Sequence, residues 1–166
     1  MRVRAIVLIL VCVLLGQPLT AFAADVLSFE SSAGVSDELR AIDPELVPKF
    51  ETGTHYLVTR EYSTAVKWIE KVLDQAPGFD IAVRRYGRAK FELGDREEGL
   101  SHLTLAYGLN PRPGPAYWLA MARWRCVREG GPCARPEDLE TIVPLALDAY
   151  ETYPASGNVL ELAIAT

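Results

Sequence analysis

The sequence predicts an all-α protein, a right-handed α-solenoid of about three helix-turn-helix units followed by a C-terminal helix. Residues of similar type recur at an interval of 34 residues, and a proline closes each of the first two units. Helical units of this length cannot bury their apolar faces alone and therefore stack on their neighbours. The pairs that share the interval are Gly53 and Gly87, Ala65 and Gly99, Ile69 and Leu103, and Pro77 and Pro111.

The first 23 residues have the pattern of an export signal. Arg2 and Arg4 precede an apolar run over residues 5–15, and Ala21-Phe22-Ala23 supplies the small residues of a cleavage site. The run is much shorter than the ~20 residues that cross a hydrocarbon core. We therefore expect cleavage near Ala23, a periplasmic or secreted protein and no permanent membrane span. A buried N-terminal helix is the alternative interpretation.

The mature chain is acidic and forms one domain of ordinary size. Without Arg2 and Arg4 it carries 15 basic and 22 acidic side chains, a net charge of about −7. This balance argues against nucleic acid as the general partner. Residues 24–45 are interpreted as a flexible lead-in, in which Ser36 is expected to cap a short helix. We expect the first long helix to begin near Val47, because Pro48 follows so soon.

The repeated units are predicted at about 46–79, 80–113 and 114–154. The first unit carries its small, aromatic, large apolar and closing residues at Gly53, Tyr56, Ala65, Ile69 and Pro77. The second unit carries the corresponding types at Tyr86, Gly87, Leu103, Ala106 and Pro111. This pattern resembles the tetratricopeptide repeat family. Hairpins that share a spacing by chance are the alternative.

Small residues at these positions are expected to let adjacent helices approach closely. The chain departs from the family pattern at three positions of the first two units. Val72 stands where the family has alanine, Lys90 where it has an aromatic residue, and Gly99 where it has alanine. We expect the changes at Lys90 and Gly99 to weaken single contacts without altering the fold.

The third unit is irregular because it contains an insertion. Helices are predicted from Pro115 to about Arg128 and from about Glu137 to Tyr153, with nine extra residues in the turn near 129–136. The turn lies between Cys126 and Cys133, the only cysteines of the mature chain. In an exported protein, such a pair predicts a disulfide.

Chemistry typical of an enzyme is sparse. His55 and His102 lie in repeat helices without the spacing of a catalytic triad or a metal site. No phosphate-binding loop or nucleophile elbow occurs in the sequence. We therefore expect no catalytic residue, no metal and no cofactor.

The resemblance implies that the first helices of the units line a concave groove. Such a groove with several arginines suits an acidic peptide or a C-terminal carboxylate, because a guanidinium binds a carboxylate through two parallel hydrogen bonds. The alternative is solvated surface charge, with the arginines paired to Glu51, Glu92 or Glu97 and Trp118 in the core. The residues predicted to line the groove are Phe50, Thr54, Arg84, Arg88, Phe91, Trp118 and Arg125.

A final helix is predicted at residues 156–166. Its apolar residues, Val159, Leu160, Leu162 and Ile164, favour self-association or docking on a larger assembly. Packing of the same side onto the third unit is the alternative.

The sequence thus predicts an exported scaffold that binds a protein or peptide in its groove. One alternative is a structural subunit that docks through its C-terminal edge. The other is a small enzyme or solute binder that uses the insertion at 126–133.

Overall fold

The computed structural model describes residues 33–135 and 138–152. In these two ranges every regular element is an α-helix and no strand occurs, so the predicted all-α class is confirmed. The predicted export signal at 1–23 and final helix at 156–166 lie outside the described residues. The helices are α1 (Ala33–Ile42), α2 (Leu46–Val58), α3 (Tyr62–Leu73), α4 (Asp80–Leu93), α5 (Arg96–Leu109), α6 (Pro113–Glu129) and α7 (Asp138–Thr152).

Helix α1 occupies much of the segment that was expected to be a flexible lead-in. Val35 and Leu39 are one turn apart, and both are buried in the core that α2 and α3 help to form. Their burial explains why an ordered helix forms in a segment rich in small and polar residues. Ser36 lies inside the helix and does not cap it. Its hydroxyl donates to Glu51 Oε1 of α2 at 3.1 Å.

Four helices fall in the two segments where the sequence repeats. Helices α2 and α3 lie within 46–79, and α4 and α5 lie within 80–113. Helix α2 begins at Leu46, one residue before its expected start. Helix α4 ends at Leu93 and is followed by Gly94, whose φ of 101° is left-handed and therefore favours glycine. The Gly94 N–H donates to the carbonyls of Lys90 and Phe91.

Glycines bring the paired helices into close contact. A Cβ atom on Gly53 of α2 would lie 2.8 Å from Ile69 Cγ1 of α3. At the α4–α5 contact, a Cβ on Gly87 would lie 2.9 Å from the Gly99 carbonyl oxygen, and one on Gly99 would lie 2.6 Å from the Phe91 nitrogen. The expectation that Gly99 weakens its contact is therefore wrong. Glycine here permits a backbone-to-backbone approach that the family's alanine would obstruct.

Each helix from α1 to α6 contacts the helix that follows it in the chain. Helix α6 packs on α7 in this way. In addition, α4 contacts both α2 and α6, so these three helices lie side by side. Buried apolar residues form one cluster around α2, α3 and α4 and a second around α6 and α7.

The segment between α6 and α7 contains the predicted insertion. Helix α6 begins at Pro113, two residues earlier than expected, because proline is tolerated at the first helical position. It ends at Glu129 and is followed by Gly130, which has a φ of 64°. A disulfide joins Cys126 to Cys133, with a Cα–Cα distance of 5.5 Å. The loop is thus fastened to the last turn of α6. No helix in the described ranges is both long and apolar enough to cross a membrane.

Candidate functional site

The contact between α4 and α6 places an arginine on a tryptophan. The guanidinium carbon of Arg88 lies 4.0 Å from the centre of a Trp118 ring. At this distance the cation is attracted by the negative face of the ring. Trp118 is buried, as the core interpretation predicted, but its ring also forms part of a surface depression. Burial of Trp118 is therefore compatible with its predicted place in the groove.

A second arginine of α6 lies beside the first pair. The guanidinium of Arg125 is 5.0 Å from the centre of the Phe91 ring, and its Nη1 donates to Glu92 Oε1 at 2.7 Å. Arg125 Nε also lies 3.8 Å from Glu129 Oε1. Glu92 therefore offsets much of the charge of Arg125, as the surface-charge interpretation allowed. The guanidinium that lies on the Trp118 ring is that of Arg88.

These side chains surround a small pocket between α4 and α6, which we call the α4–α6 pocket. Its volume is about 210 Å³, part of which is open to solvent. The enclosed part is only about 10 Å³, about the room that one water molecule needs, so the feature is a shallow depression rather than a small-molecule cavity. The residues that define it are Arg88, Phe91, Glu92, Trp118, Met121 and Arg125. Four of the seven predicted groove residues thus meet at one place.

The indole nitrogen of Trp118 is a notable polar atom in this pocket wall. Trp118 Nε1 is buried and has no hydrogen-bond partner within the described part of the chain. A buried donor without a partner costs about 1–3 kcal/mol. A ligand that supplies a carbonyl or carboxylate oxygen would recover part of that cost.

Two of the three remaining predicted groove residues, Phe50 and Thr54, contact a different arginine. The guanidinium of Arg85 lies 4.3 Å from the centre of the Phe50 ring, and its Nη1 donates to Thr54 Oγ1. Arg84 is only 3 % exposed, so it is not solvated surface charge. Sequence reasoning missed Arg85. The available signal was that Phe50 and Thr54 are one turn apart on α2 and that α4 carries two adjacent arginines.

Lys90 and Tyr86 form a polar cluster between α4 and α5. Lys90 Nζ lies 2.9 Å from both Asp95 Oδ2 and Glu98 Oε2, and these hydrogen bonds raise the pKa of the lysine above its ordinary value. The Tyr86 hydroxyl lies 3.0 Å from Glu70 Oε1, and burial, followed by this hydrogen bond, raises the tyrosine pKa. The lysine that replaces the family's aromatic residue thus makes ionic contacts between the paired helices.

The two histidines lie in helices, and the ring of each is close to a tyrosine ring. His102 Nδ1 lies 2.9 Å from the Glu98 carbonyl oxygen, and its ring is 4.8 Å from that of Tyr86. The His55 ring packs against its neighbour Tyr56. In the ranges 33–135 and 138–152, no group of three or more His, Cys, Asp or Glu side chains is arranged to hold a metal ion.

Comparisons with known proteins leave the α4–α6 pocket as the main guide to function. No protein-family model matches this chain, and no curated protein matches it significantly. Function is therefore inferred here from the geometry and from the sequence pattern.

Proposed function

We propose that this chain is an exported tetratricopeptide-type α-solenoid that binds a peptide or partner protein in a groove formed by α2, α4 and α6. The observation that carries the proposal is the Arg88–Trp118 pair in the α4–α6 pocket. The contacts of α4 with α2 and α6 are those that a stack of helical units requires. The disulfide agrees with an oxidising compartment.

The pocket chemistry favours a partner segment that combines one apolar side chain with an acidic group. An apolar side chain would cover the depression between Phe91, Met121 and Trp118 rather than enter an enclosed cavity. A carboxylate, either acidic or C-terminal, would accept from Arg88, and a neighbouring backbone carbonyl would accept from Trp118 Nε1. Because the Arg88 guanidinium lies on Trp118, whose indole nitrogen is the other donor in this proposal, Arg88 is the main charge determinant.

The test is a peptide selection followed by affinity measurement. Random peptides with internal acidic residues and with free C-termini are selected on the oxidised protein, and dissociation constants are measured by fluorescence anisotropy. Removal of a charged hydrogen bond costs about 1.5–3 kcal/mol, so Arg88→Ala is expected to weaken binding by about 10- to 100-fold. Trp118→Phe, which keeps a ring but removes the donor, is expected to weaken it by up to about tenfold.

A matched control lies on α6 itself. The Arg128 guanidinium lies 4.2 Å from the centre of a Trp124 ring, so Arg128→Ala also removes an arginine from a tryptophan, outside the pocket. We expect Arg128→Ala to bind the selected peptides within about twofold of the parent. Equal losses in Arg88→Ala and Arg128→Ala, or selected peptides that ignore both changes, would show that the pocket is not the binding site.

Export is tested separately by the mature N-terminus. Expression of the full chain in a bacterium, followed by mass spectrometry of the periplasmic fraction, is expected to give a protein that starts at Ala24. Recovery of an uncleaved chain from the cytoplasm would contradict the export part of the proposal. The docking-subunit alternative depends on residues 156–166, which lie outside the described ranges.

A further inference from the structure

The nine-residue insertion forms one wall of a second, larger cleft. This cleft lies between α5 and the loop that follows α6, and its volume is about 820 Å³ including space open to solvent. It shares no lining residue with the α4–α6 pocket. Its polar and loop residues are Glu97, Ser101, Thr104, Arg123, Cys133 and Arg135.

The α5 wall carries three oxygen-bearing side chains on one helix face. Glu97, Ser101 and Thr104 are separated by four and three residues, so their side chains project from the same side. The Thr104 hydroxyl donates to the Leu100 carbonyl at 2.8 Å. Its proton is thereby committed to the helix backbone, and the threonine oxygen can act as an acceptor. This wall therefore offers acceptors, one of which is a carboxylate.

The opposite wall carries two arginines. Arg123 projects from α6, and its Nη1 donates to Thr141 Oγ1 of α7 at 2.5 Å, which fixes the side chain between the two helices. Arg135 follows Cys133 by two residues and is exposed. Guanidinium groups bind oxyanions through paired, charge-assisted hydrogen bonds. This wall therefore suits a carboxylate or a phosphate group.

The disulfide holds the loop of the arginine-bearing wall against α6. Cys126 is buried in the last turn of α6, and Cys133 is buried at the wall of the cleft. Because the bond fastens the loop to α6, it also restrains the backbone two residues before Arg135. A short loop without this bond would sample many conformations, and the cost of ordering it would be paid at each binding event.

We propose that this cleft binds a small zwitterionic solute, whose carboxylate or phosphate faces Arg123 and Arg135 and whose ammonium group faces Glu97. The size and the polar lining fit a small ligand, for which sites of roughly 300–1,000 Å³ are common. This function is additional to the groove, uses other residues and does not depend on peptide binding there.

The experiment is a titration of the oxidised protein followed by ¹H–¹⁵N NMR, with three defined probes. Glutamate supplies a carboxylate with an ammonium group, phosphoethanolamine supplies a phosphate with an ammonium group, and succinate supplies carboxylates alone. We expect saturable shifts at the amides of Ser101, Thr104 and Cys133 with glutamate or phosphoethanolamine. Whichever of the two binds more tightly identifies the anion. Succinate is expected to bind at least about tenfold more weakly than the better probe.

Substitutions then connect binding to the cleft. Arg135 is exposed, so Arg135→Glu is expected to leave folding intact and to weaken binding by more than about tenfold. Lys67→Glu makes the same charge change at an exposed position on α3 and is expected to leave binding within about twofold. The double variant Cys126→Ser, Cys133→Ser is expected to weaken solute binding while peptides selected on the groove still bind.

Three results would overturn the proposal. One is the absence of saturable shifts at the cleft amides with either ammonium-bearing probe up to about 20 mM. Another is equal binding by Arg135→Glu and Lys67→Glu. The third is succinate binding as tight as that of glutamate and phosphoethanolamine, because Glu97 would then contribute nothing to recognition.

Discussion

Arg112 bonds to a buried carboxylate, that of Asp80, at the start of α4. Its Nη2 donates to Asp80 Oδ1 at 3.0 Å and to Oδ2 at 2.8 Å. Asp80 is the first residue of α4, and Arg112 directly precedes α6. The pair therefore joins the starts of the two helices that form the α4–α6 pocket. A carboxylate this deeply buried needs a partner, because burial of an unpaired charge costs several kcal/mol.

We expect Arg112→Ala to lower the free energy of unfolding by about 1–3 kcal/mol. Loss of one partner from a fully buried pair costs about 3–5 kcal/mol, and the side chain of Arg112 is 41 % exposed, so water can reach part of the site. The measurement is urea unfolding followed by circular dichroism. Asp80→Asn in the Arg112→Ala background is expected to restore part of the loss, since it removes the unpaired charge.

Arg40→Ala is the control for this prediction. Arg40 pairs with Asp37 on α1, where both side chains are mostly exposed. Exposed pairs contribute about 0–1 kcal/mol, so this change is expected to have a much smaller effect. Similar losses in Arg40→Ala and Arg112→Ala would show that the burial of Asp80 does not determine the strength of its pair.

Gly99 and Gly108 lie in the same helix and predict opposite responses to alanine. A Cβ at Gly99 would lie 2.6 Å from the Phe91 nitrogen and 2.7 Å from the Gly87 carbonyl oxygen. Both atoms are backbone of α4, so relief requires the helices to separate. We expect Gly99→Ala to destabilise the protein by about 1–3 kcal/mol, which is typical of overpacking.

Gly108→Ala serves as the matched substitution. A Cβ there would meet no atom within 4 Å, and the residue is exposed in the last turn of α5. Alanine has a helix propensity up to about 1 kcal/mol better than glycine, so we expect a small gain in stability. Thermal unfolding of the two variants gives the comparison. A neutral or stabilising Gly99→Ala would refute the proposed close approach of α4 and α5.

The sequence was sufficient to predict the helical class and the positions of the close helix contacts. The interval between Gly53 and Gly87 marks two places where helices approach each other. The sequence did not predict the role of Gly99. The alanine expected at this position from the resemblance gave no reason to expect contact between the backbones of two helices. The tertiary environment, rather than the local pattern, decides which small residue is tolerated there.

The candidate site was predictable in its residues but not in their pairing. Helical periodicity placed Arg84 and Arg88 on one side of α4. It did not show that Arg84 is buried, that Arg88 lies on Trp118, or that Phe50 and Thr54 contact Arg85 instead. Those outcomes depend on the rotation and spacing of neighbouring helices, which a one-dimensional pattern does not specify.

The disulfide is predicted to stabilise the protein moderately. It closes a short loop, with a sequence separation of 7 residues between Cys126 and Cys133. Loop closure of this size corresponds to about 2–3 kcal/mol in the chain-entropy model. We expect the double serine variant to unfold at a correspondingly lower denaturant concentration, as measured by urea titration. Addition of a reducing agent should then affect the parent protein only. Equal stability of parent and variant under oxidising conditions would contradict the prediction.

Glu129 makes a contribution to stability that depends on pH. Its carboxylate accepts a hydrogen bond from Arg96 of α5 and lies close to Arg125 and Arg128. The hydrogen bond from Arg96, followed by the charge of these arginines, lowers the pKa of the Glu129 carboxyl group below the ordinary 4.5. A carboxylate whose pKa is lower in the folded state stabilises the fold above its unfolded pKa. That stabilisation is lost as the pH falls through the folded pKa, because protonation then removes the interaction with Arg96.

We expect Glu129→Gln to unfold at a lower temperature than the parent at about pH 7, and the difference to shrink progressively as the pH falls below the ordinary carboxyl pKa of 4.5. Thermal unfolding by circular dichroism over this range measures the difference. Glu140→Gln, which removes an exposed carboxylate from α7, controls for the change in net charge. Because the Glu129 cluster is near the surface, salt at about 1 M is expected to reduce its effect. A difference between parent and Glu129→Gln that persists unchanged to acid pH would mean that glutamine disturbs packing at the end of α6 rather than removing an ionic contact.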